Sequence, residues 1–156
     1  MRKRILALLL CIVLLASAGC SAQPKDFSKE GLTITLTEDF KEQNDKSYTA
    51  YYLSDTVAVY ALREEFELFE GGDVEVDLPY YMDLVIEANG LDSKPQEKND
   101  LLYFVFEKEV KDNDFTYYAF VYEGSDAFWL VQFCCETKNA EKLEDTIFQY
   151  AKSVKV

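Results

Sequence analysis

The sequence contains no histidine, and this absence narrows the chemistry that the chain can perform. Serine and cysteine nucleophiles are usually activated by an imidazole, and zinc sites usually include one, so both classes lose their commonest members. Glycine is also scarce, and none of the six glycines has the spacing of a phosphate-binding loop. We therefore predict a protein that is not an enzyme and has no cofactor, with a carboxylate-based hydrolase as the remaining enzymatic alternative.

Basic residues are few as well. The chain has 16 Lys and Arg against 29 Asp and Glu, and after residue 4 its only arginine is Arg63. An acidic surface repels phosphate groups, so nucleic acid is excluded as a partner and anionic lipid headgroups are poor candidates. Arg63 could hold an anionic ligand, but the neighbouring Glu64 and Glu65 favour an ordinary surface ion pair.

The first twenty residues have the pattern of a secretion signal. Residues 2–4 are basic, residues 5–16 form an apolar run, and small residues follow up to position 19. A helix of twelve residues is about 18 Å long, which is short of the roughly 30 Å that a membrane span needs. We predict that residues 1–19 are removed as a signal peptide, with a retained anchor as an alternative.

The end of this segment, Ala18-Gly19-Cys20, resembles the lipobox of bacterial lipoproteins, with Ser17 where leucine is usual. The resemblance implies that Cys20 becomes the first residue and the lipid attachment site of the mature protein. Two acyl chains on one cysteine would hold the protein stably on the extracytoplasmic face of the cell membrane. A signal that is cleaved without lipid attachment is the other alternative.

The rest of the chain is long enough for one domain. Residues 20–28 are small and polar and include Pro24, which indicates a flexible tether, and residues 29–156 are predicted to form a single globular domain. Removal of the signal leaves 13 basic against 29 acidic residues, a formal charge of −16. All eleven Tyr, all eleven Phe and Trp129 lie in this part, so a core is assured.

Alternating or β-rich composition predicts six strands, joined by short polar connections that favour antiparallel hairpins. They cover residues 32–36, 48–53, 56–62, 101–110, 115–123 and 127–136. The stretch 91–100 could add a ragged edge strand, since Pro95 argues against a central one.

Two helices are predicted. Pro79 suits a helix start and Asn89-Gly90 suits its end, while apolar residues recur at helical spacing from Ala140 to Val154. Thr137 or Asn139 could cap the second helix. The fold class is therefore α+β, a twisted antiparallel sheet of about six strands with helices packed on its faces.

A second resemblance concerns this domain. The strand GLTITL with Phe40 nearby, the aromatic hairpins and the closing helix that ends AKSVKV resemble the PsbP-like family, whose lipid-anchored bacterial members include relatives of DcrB. The resemblance implies an α/β/α sandwich and an accessory or assembly role at membranes. The family supplies no catalytic residues.

Cys134 and Cys135 are the only cysteines after Cys20. Neighbouring residues of a strand point to opposite faces, so two buried thiols are favoured over a vicinal disulfide switch.

Two acidic stretches, beginning at Asp73 and Asp112, start with the spacing of EF-hand ligands. Leu78 and Tyr117 stand where each loop would need its glycine, so neither stretch is an EF-hand. Calcium binding of another kind by the acidic loop 64–77 stays open, and a solvated loop is favoured.

The tyrosines give the best indication of function. Tyr51-Tyr52, Tyr117-Tyr118, Tyr103 and Tyr122 exceed what one small core easily hides, although packing on two covered sheet faces is favoured. We predict a lipid-anchored, extracytoplasmic accessory protein that binds an unidentified protein partner. The alternative is a small-molecule or cation-binding lipoprotein.

Overall fold

The computed structural model describes residues 22–72 and 74–156. The predicted signal peptide and the lipid attachment site at Cys20 lie outside these residues. No helix among the described residues is long and apolar enough to cross a membrane.

The centre of the fold is a seven-stranded antiparallel sheet. In chain order its strands are β3 (Lys41–Glu42), β4 (Ala50–Leu53), β5 (Ala58–Glu65), β6 (Gln96–Lys98), β7 (Leu101–Val110), β8 (Asn113–Glu123) and β9 (Ala127–Glu136). Across the sheet they lie in the order β3-β4-β5-β9-β8-β7-β6. Its long strands match the predicted runs, and each pairs with its neighbour in antiparallel register, for example Tyr60 opposite Gln132 and Tyr117 opposite Cys134. The short strands β3 and β6 form the two edges.

The first predicted strand lies outside this sheet. It is β2 (Leu32–Thr37), and it pairs with β1 (Pro24–Lys29) in a separate two-stranded hairpin. The prediction of a flexible tether is therefore wrong for residues 24–28. Only Phe27 of this stretch is buried, so its sequence reads as polar although its backbone pairs along the whole length of β2.

Two helices complete the domain, α1 (Leu78–Ala88) and α2 (Thr137–Lys152). Asp77 caps α1 by accepting a hydrogen bond from the Tyr80 N–H, and proline occupies the first turn as predicted. The predicted cap of α2 is wrong. β9 runs into α2 without a loop, so Glu136 is the N-cap residue, and its side chain makes no capping hydrogen bond. The Thr137 hydroxyl instead accepts a hydrogen bond from Thr116.

The helices cover opposite faces of the sheet, which confirms the α+β sandwich. One core lies between the sheet and α2 with the β1–β2 hairpin, and its largest fully buried side chains include Phe120, Phe133 and Ile147. The other core lies under α1, where the Tyr81 ring stacks on Phe128 at 4.7 Å. The Tyr81 hydroxyl donates a 2.5 Å hydrogen bond to Glu64, which ties α1 to β5.

Candidate functional site: an open tyrosine surface beside α1

Part of the sheet face under α1 is left uncovered. β8 and β9 contain 11 and 10 residues, which gives a length of about 34 Å, whereas the 11 residues of α1 extend only about 16 Å. One helix of this length therefore covers about half of each strand. The remaining half carries what we call the tyrosine surface: Tyr48, Tyr51, Tyr60, Phe106, Tyr117 and Gln132, all of which are half-buried.

Strand alternation places most of these side chains on one face. Tyr60 lies between Val59 and Ala61, which both point into the other core, and the same alternation applies to Tyr51 and Tyr117. Tyr48 precedes β4 in a turn closed by Asp45, whose carboxylate accepts from the Ser47 N–H at 2.9 Å. A turn, rather than a strand, therefore delivers the fourth tyrosine.

The rings form two groups on either side of β9. Tyr60 packs against Tyr48 at 4.7 Å and against Tyr51 at 4.8 Å between ring centroids. Tyr117 stacks on Phe106 at 4.7 Å with an interplanar angle of 7°. Each of these rings therefore packs against at least one other ring of the surface, and such pairs contribute about 0.5–1.5 kcal/mol each.

Three hydroxyl groups of this surface, those of Tyr48, Tyr60 and Tyr117, have raised pKa values and are neutral at physiological pH. Burial, followed by the nearby hydroxyl of Tyr51, raises the pKa of Tyr60. Burial, followed by the hydrogen bond with the Cys134 thiol, raises the pKa of Tyr117, and burial followed by the charge of Asp45 raises that of Tyr48. These phenols therefore act as uncharged hydrogen-bond donors and acceptors.

A cleft of about 440 Å³ runs between the tyrosine surface and the end of α1. Tyr48, Phe106, Tyr117 and Gln132 line it from the sheet, and Asn89 lines it from the end of α1. It is open to solvent because Asn89, Glu107 and Lys108 at its margin are exposed. A cleft that is open to solvent and has aromatic walls and amide groups can hold an extended chain segment.

Gln132 is the polar group of the floor. It stands in the central strand β9 with Leu130 and Cys134 as its neighbours on the same face, opposite Tyr60 and Ala119. Among the described residues, none hydrogen-bonds to its side-chain amide, although that amide lines the cleft. The amide therefore offers a donor and an acceptor to whatever enters.

The predicted tyrosines separate into two groups. Tyr51 and Tyr117 belong to the open surface, while Tyr52, Tyr103 and Tyr118 are buried in the core on the opposite face. Tyr122 is half-buried there and donates to the Ala151 carbonyl at 2.8 Å. The expectation that packing absorbs the tyrosines is thus right for four of these six residues.

Sequence reasoning missed Tyr48, Tyr60 and Gln132 as parts of a site. The sequence pattern could have indicated Gln132, because it is the only polar residue between Ala127 and Cys135 in an otherwise apolar strand. The position of Tyr48 depends on a turn that brings its ring onto Tyr60. Such a contact cannot be predicted from the periodicity of the sequence.

Arg63 forms surface ion pairs, as favoured from the sequence. Its guanidinium contacts Glu65 and Asp126, each at 2.7 Å, rather than Glu64. The hydrogen bond with Glu65 contributes most to raising the pKa of Arg63. With both carboxylates in place, this arginine is occupied within the protein.

Cys134 and Cys135 are free, buried thiols on opposite faces of β9, as favoured from the sequence. Burial raises the pKa of both thiols, that of Cys135 to about 11. A thiol in this state is a poor nucleophile at neutral pH.

The acidic loop after β5 contains a short 3-10 helix, Phe66–Phe69, and its rings pack on Phe128. Within residues 22–72 and 74–156, no three Asp, Glu or Cys side chains come close enough to hold a metal ion. Asp73, one of the residues in the calcium alternative, lies outside these ranges.

Comparison with solved structures confirms the fold class, which is that of the PsbP-like sandwich proteins. The solution structure of the cyanobacterial PsbP protein CyanoP from Synechocystis sp. PCC 6803 is similar with a TM-score of 0.58 at 12% identity, over 92% of this chain and 98% of that one. A crystal structure from Bacteroides thetaiotaomicron has a TM-score of 0.57 at 12% identity, over 86% of this chain and 48% of that one. The chain thus spans about half of the second protein.

A third structure, LpqN of Mycobacterium tuberculosis, which is involved in cell envelope biogenesis, has a TM-score of only 0.48 at 10% identity, over 86% of this chain and 91% of that one. No family model and no curated protein sequence matches the chain. At these identities the similarity concerns the fold alone.

Proposed function

We propose that this protein is a lipid-anchored, extracytoplasmic accessory domain that is not an enzyme and binds a protein partner through the tyrosine surface. The observation that carries the proposal is the uncovered half of the sheet face, where four half-buried tyrosines lie in ring contacts with their neighbours. Tyrosine is enriched at protein interfaces because it offers a large contact area with a polar end at low conformational cost.

Two further features support the proposal that no reaction is catalysed. The sequence has no histidine, and the two thiols of the described domain are buried and protonated. Neither of the usual activated nucleophiles is therefore available. The lipid anchor is supported by the resemblance of Ala18-Gly19-Cys20 to a lipobox.

Photo-crosslinking in native membranes tests the partner. A photoreactive amino acid in place of Tyr117 should give a discrete adduct with another protein, while the same residue in place of Tyr80 should not. Tyr80 is a fitting control because it is 40% exposed and lies on the first turn of α1, outside the tyrosine surface. Equal adducts from both positions, or none from Tyr117, would contradict the proposed interface.

The anchor needs a separate test. Replacing Cys20 with alanine should release the folded domain into the medium or leave the unprocessed precursor, as seen by membrane fractionation and mass spectrometry. A correctly cleaved Cys20→Ala protein that stays on the membrane would show that the lipid assignment is wrong.

A further inference from the structure

The floor of the cleft beside the tyrosine surface has a polar group that the fold does not use. The Gln132 amide has no side-chain hydrogen bond among the described residues, yet it sits in the most central strand, between two aromatic groups. In the part of the chain that the structure describes, only the Tyr52 hydroxyl is both buried and without a hydrogen-bond partner, so the Gln132 amide keeps access to solvent in the cleft. Its donor and acceptor groups are therefore free to bond to a ligand that enters the cleft.

The geometry of an amide restricts that ligand. A glutamine side chain presents an NH₂ group with two donors and a C=O acceptor in one plane, and these can pair with the C=O and N–H of one residue in an extended chain. The hydroxyls of Tyr48 and Tyr117 line the same cleft and add uncharged donors for peptide carbonyls. The side-chain NH₂ of Asn89, also on the cleft, already donates to the Val85 carbonyl at 2.8 Å. Aromatic-lined shallow grooves are a recurrent means of holding extended peptide chains.

The charge of the protein further restricts the ligand that the cleft can bind. Residues 20–156 have a formal charge of −16, and among the residues that line the cleft Glu107 offsets the single cation, Lys108. Asp45, whose pKa is lowered by hydrogen bonds from Ser47, stays ionised near Tyr48. The long-range field therefore attracts a basic segment, and the faces of the tyrosine rings attract cationic side chains at short range.

We propose that the cleft binds an extended segment of a protein partner that carries lysine or arginine, with a backbone peptide group hydrogen-bonded to Gln132. This inference rests on the proposed function and specifies the chemistry of its partner.

The test is a titration of the ¹⁵N-labelled domain, residues 22–156, with synthetic peptides of about eight residues, followed by NMR. An alternating Lys-Pro peptide is extended in solution and basic, and an alternating Glu-Pro peptide is its charge-inverted control. The Lys-Pro peptide should shift the side-chain NH₂ resonances of Gln132 and the backbone resonances of Phe106 and Tyr117. The Glu-Pro peptide should bind at least about tenfold more weakly.

Matched variants assign the effect to the amide. Gln132→Leu keeps the size of the side chain but removes its hydrogen bonds, and it should weaken Lys-Pro binding about tenfold, which corresponds to roughly 1.4 kcal/mol. Gln149→Leu should leave binding unchanged, because Gln149 is exposed on α2 on the opposite side of the sheet.

Failure of this inference and failure of the proposed function look different. If the Tyr117 position crosslinks to a protein but the Lys-Pro peptide causes no shift at millimolar concentration, the partner surface stands and the basic extended ligand is wrong. Equal binding of both peptides, or undiminished binding by Gln132→Leu, would also overturn the inference. If peptide binding is seen without any crosslink, the ligand chemistry stands and the protein partner is wrong.

Discussion

Replacing Gln132 with leucine should make the domain more stable. The leucine side chain would lie on the apolar floor between Leu130 and Cys134. Full burial of a leucine contributes about 1.5–3 kcal/mol, so a half-buried position contributes about 1 kcal/mol. Removing a partly desolvated amide that has no hydrogen-bond partner adds roughly 0.5 kcal/mol more. The expected gain in the free energy of unfolding is therefore about 1.5 kcal/mol, or about 5 °C in Tm.

The gain is measured by urea denaturation, with the fluorescence of Trp129 as the probe. This is the only tryptophan of the chain and is 2% exposed, so unfolding changes its surroundings completely. Gln149→Leu serves as the control and should change the free energy by less than about 0.5 kcal/mol, as is usual for surface sites.

A loss of stability in Gln132→Leu, with Gln149→Leu unchanged, would refute the reasoning. It would mean that the fold itself satisfies the amide, for example through an ordered water, and that Gln132 is a structural residue. A gain in stability together with a loss of peptide binding is instead the known exchange of function for stability at binding sites.

Three other outcomes are expected. The folded domain should lose stability as the pH rises above about 9. Burial raises the pKa of Cys135 to about 11 and that of Tyr52 to about 12 in the folded protein, so these groups ionise first in the unfolded state. Urea midpoints measured at several pH values would show the loss. Asp77→Ala should lower the free energy of unfolding by about 1 kcal/mol through loss of the α1 cap, whereas Asp83→Ala on the same helix should not. A thiol reagent should react with neither Cys134 nor Cys135 until denaturant is added, and rapid reaction in the native state would contradict their burial.

The sequence allowed the long strands and both helices to be predicted because each long element carries one periodicity over many residues. β9 and α2 are examples, with apolar residues in nearly every position of the central strand and on one stripe of the helix. β1 escaped prediction for the opposite reason. Its register is set by backbone bonds to β2, and its side chains are mostly polar, with Phe27 as the one buried apolar residue.

The tyrosine surface could be predicted only in part. Period-two alternation puts Tyr51 and Tyr52, like Tyr117 and Tyr118, on opposite faces of the sheet. It cannot tell which face is covered, because cover depends on the length of α1 relative to the strands beneath it. The extent of the site thus depends on the difference in length between α1 and the strands β8 and β9, which are far apart in the sequence.

If Cys20 carries the proposed lipid, the early start of β1 limits how far the domain can stand from the membrane. The Gln23 carbonyl already accepts a hydrogen bond from the Glu38 N–H at 2.8 Å, and only three peptide steps separate Gln23 from Cys20. Three residues of extended chain span at most about 11 Å. A lipid on Cys20 would therefore hold the start of β1 within about this distance of the membrane surface. A partner would then have to come to the bilayer surface, where confinement to a thin layer raises the effective concentration of both proteins.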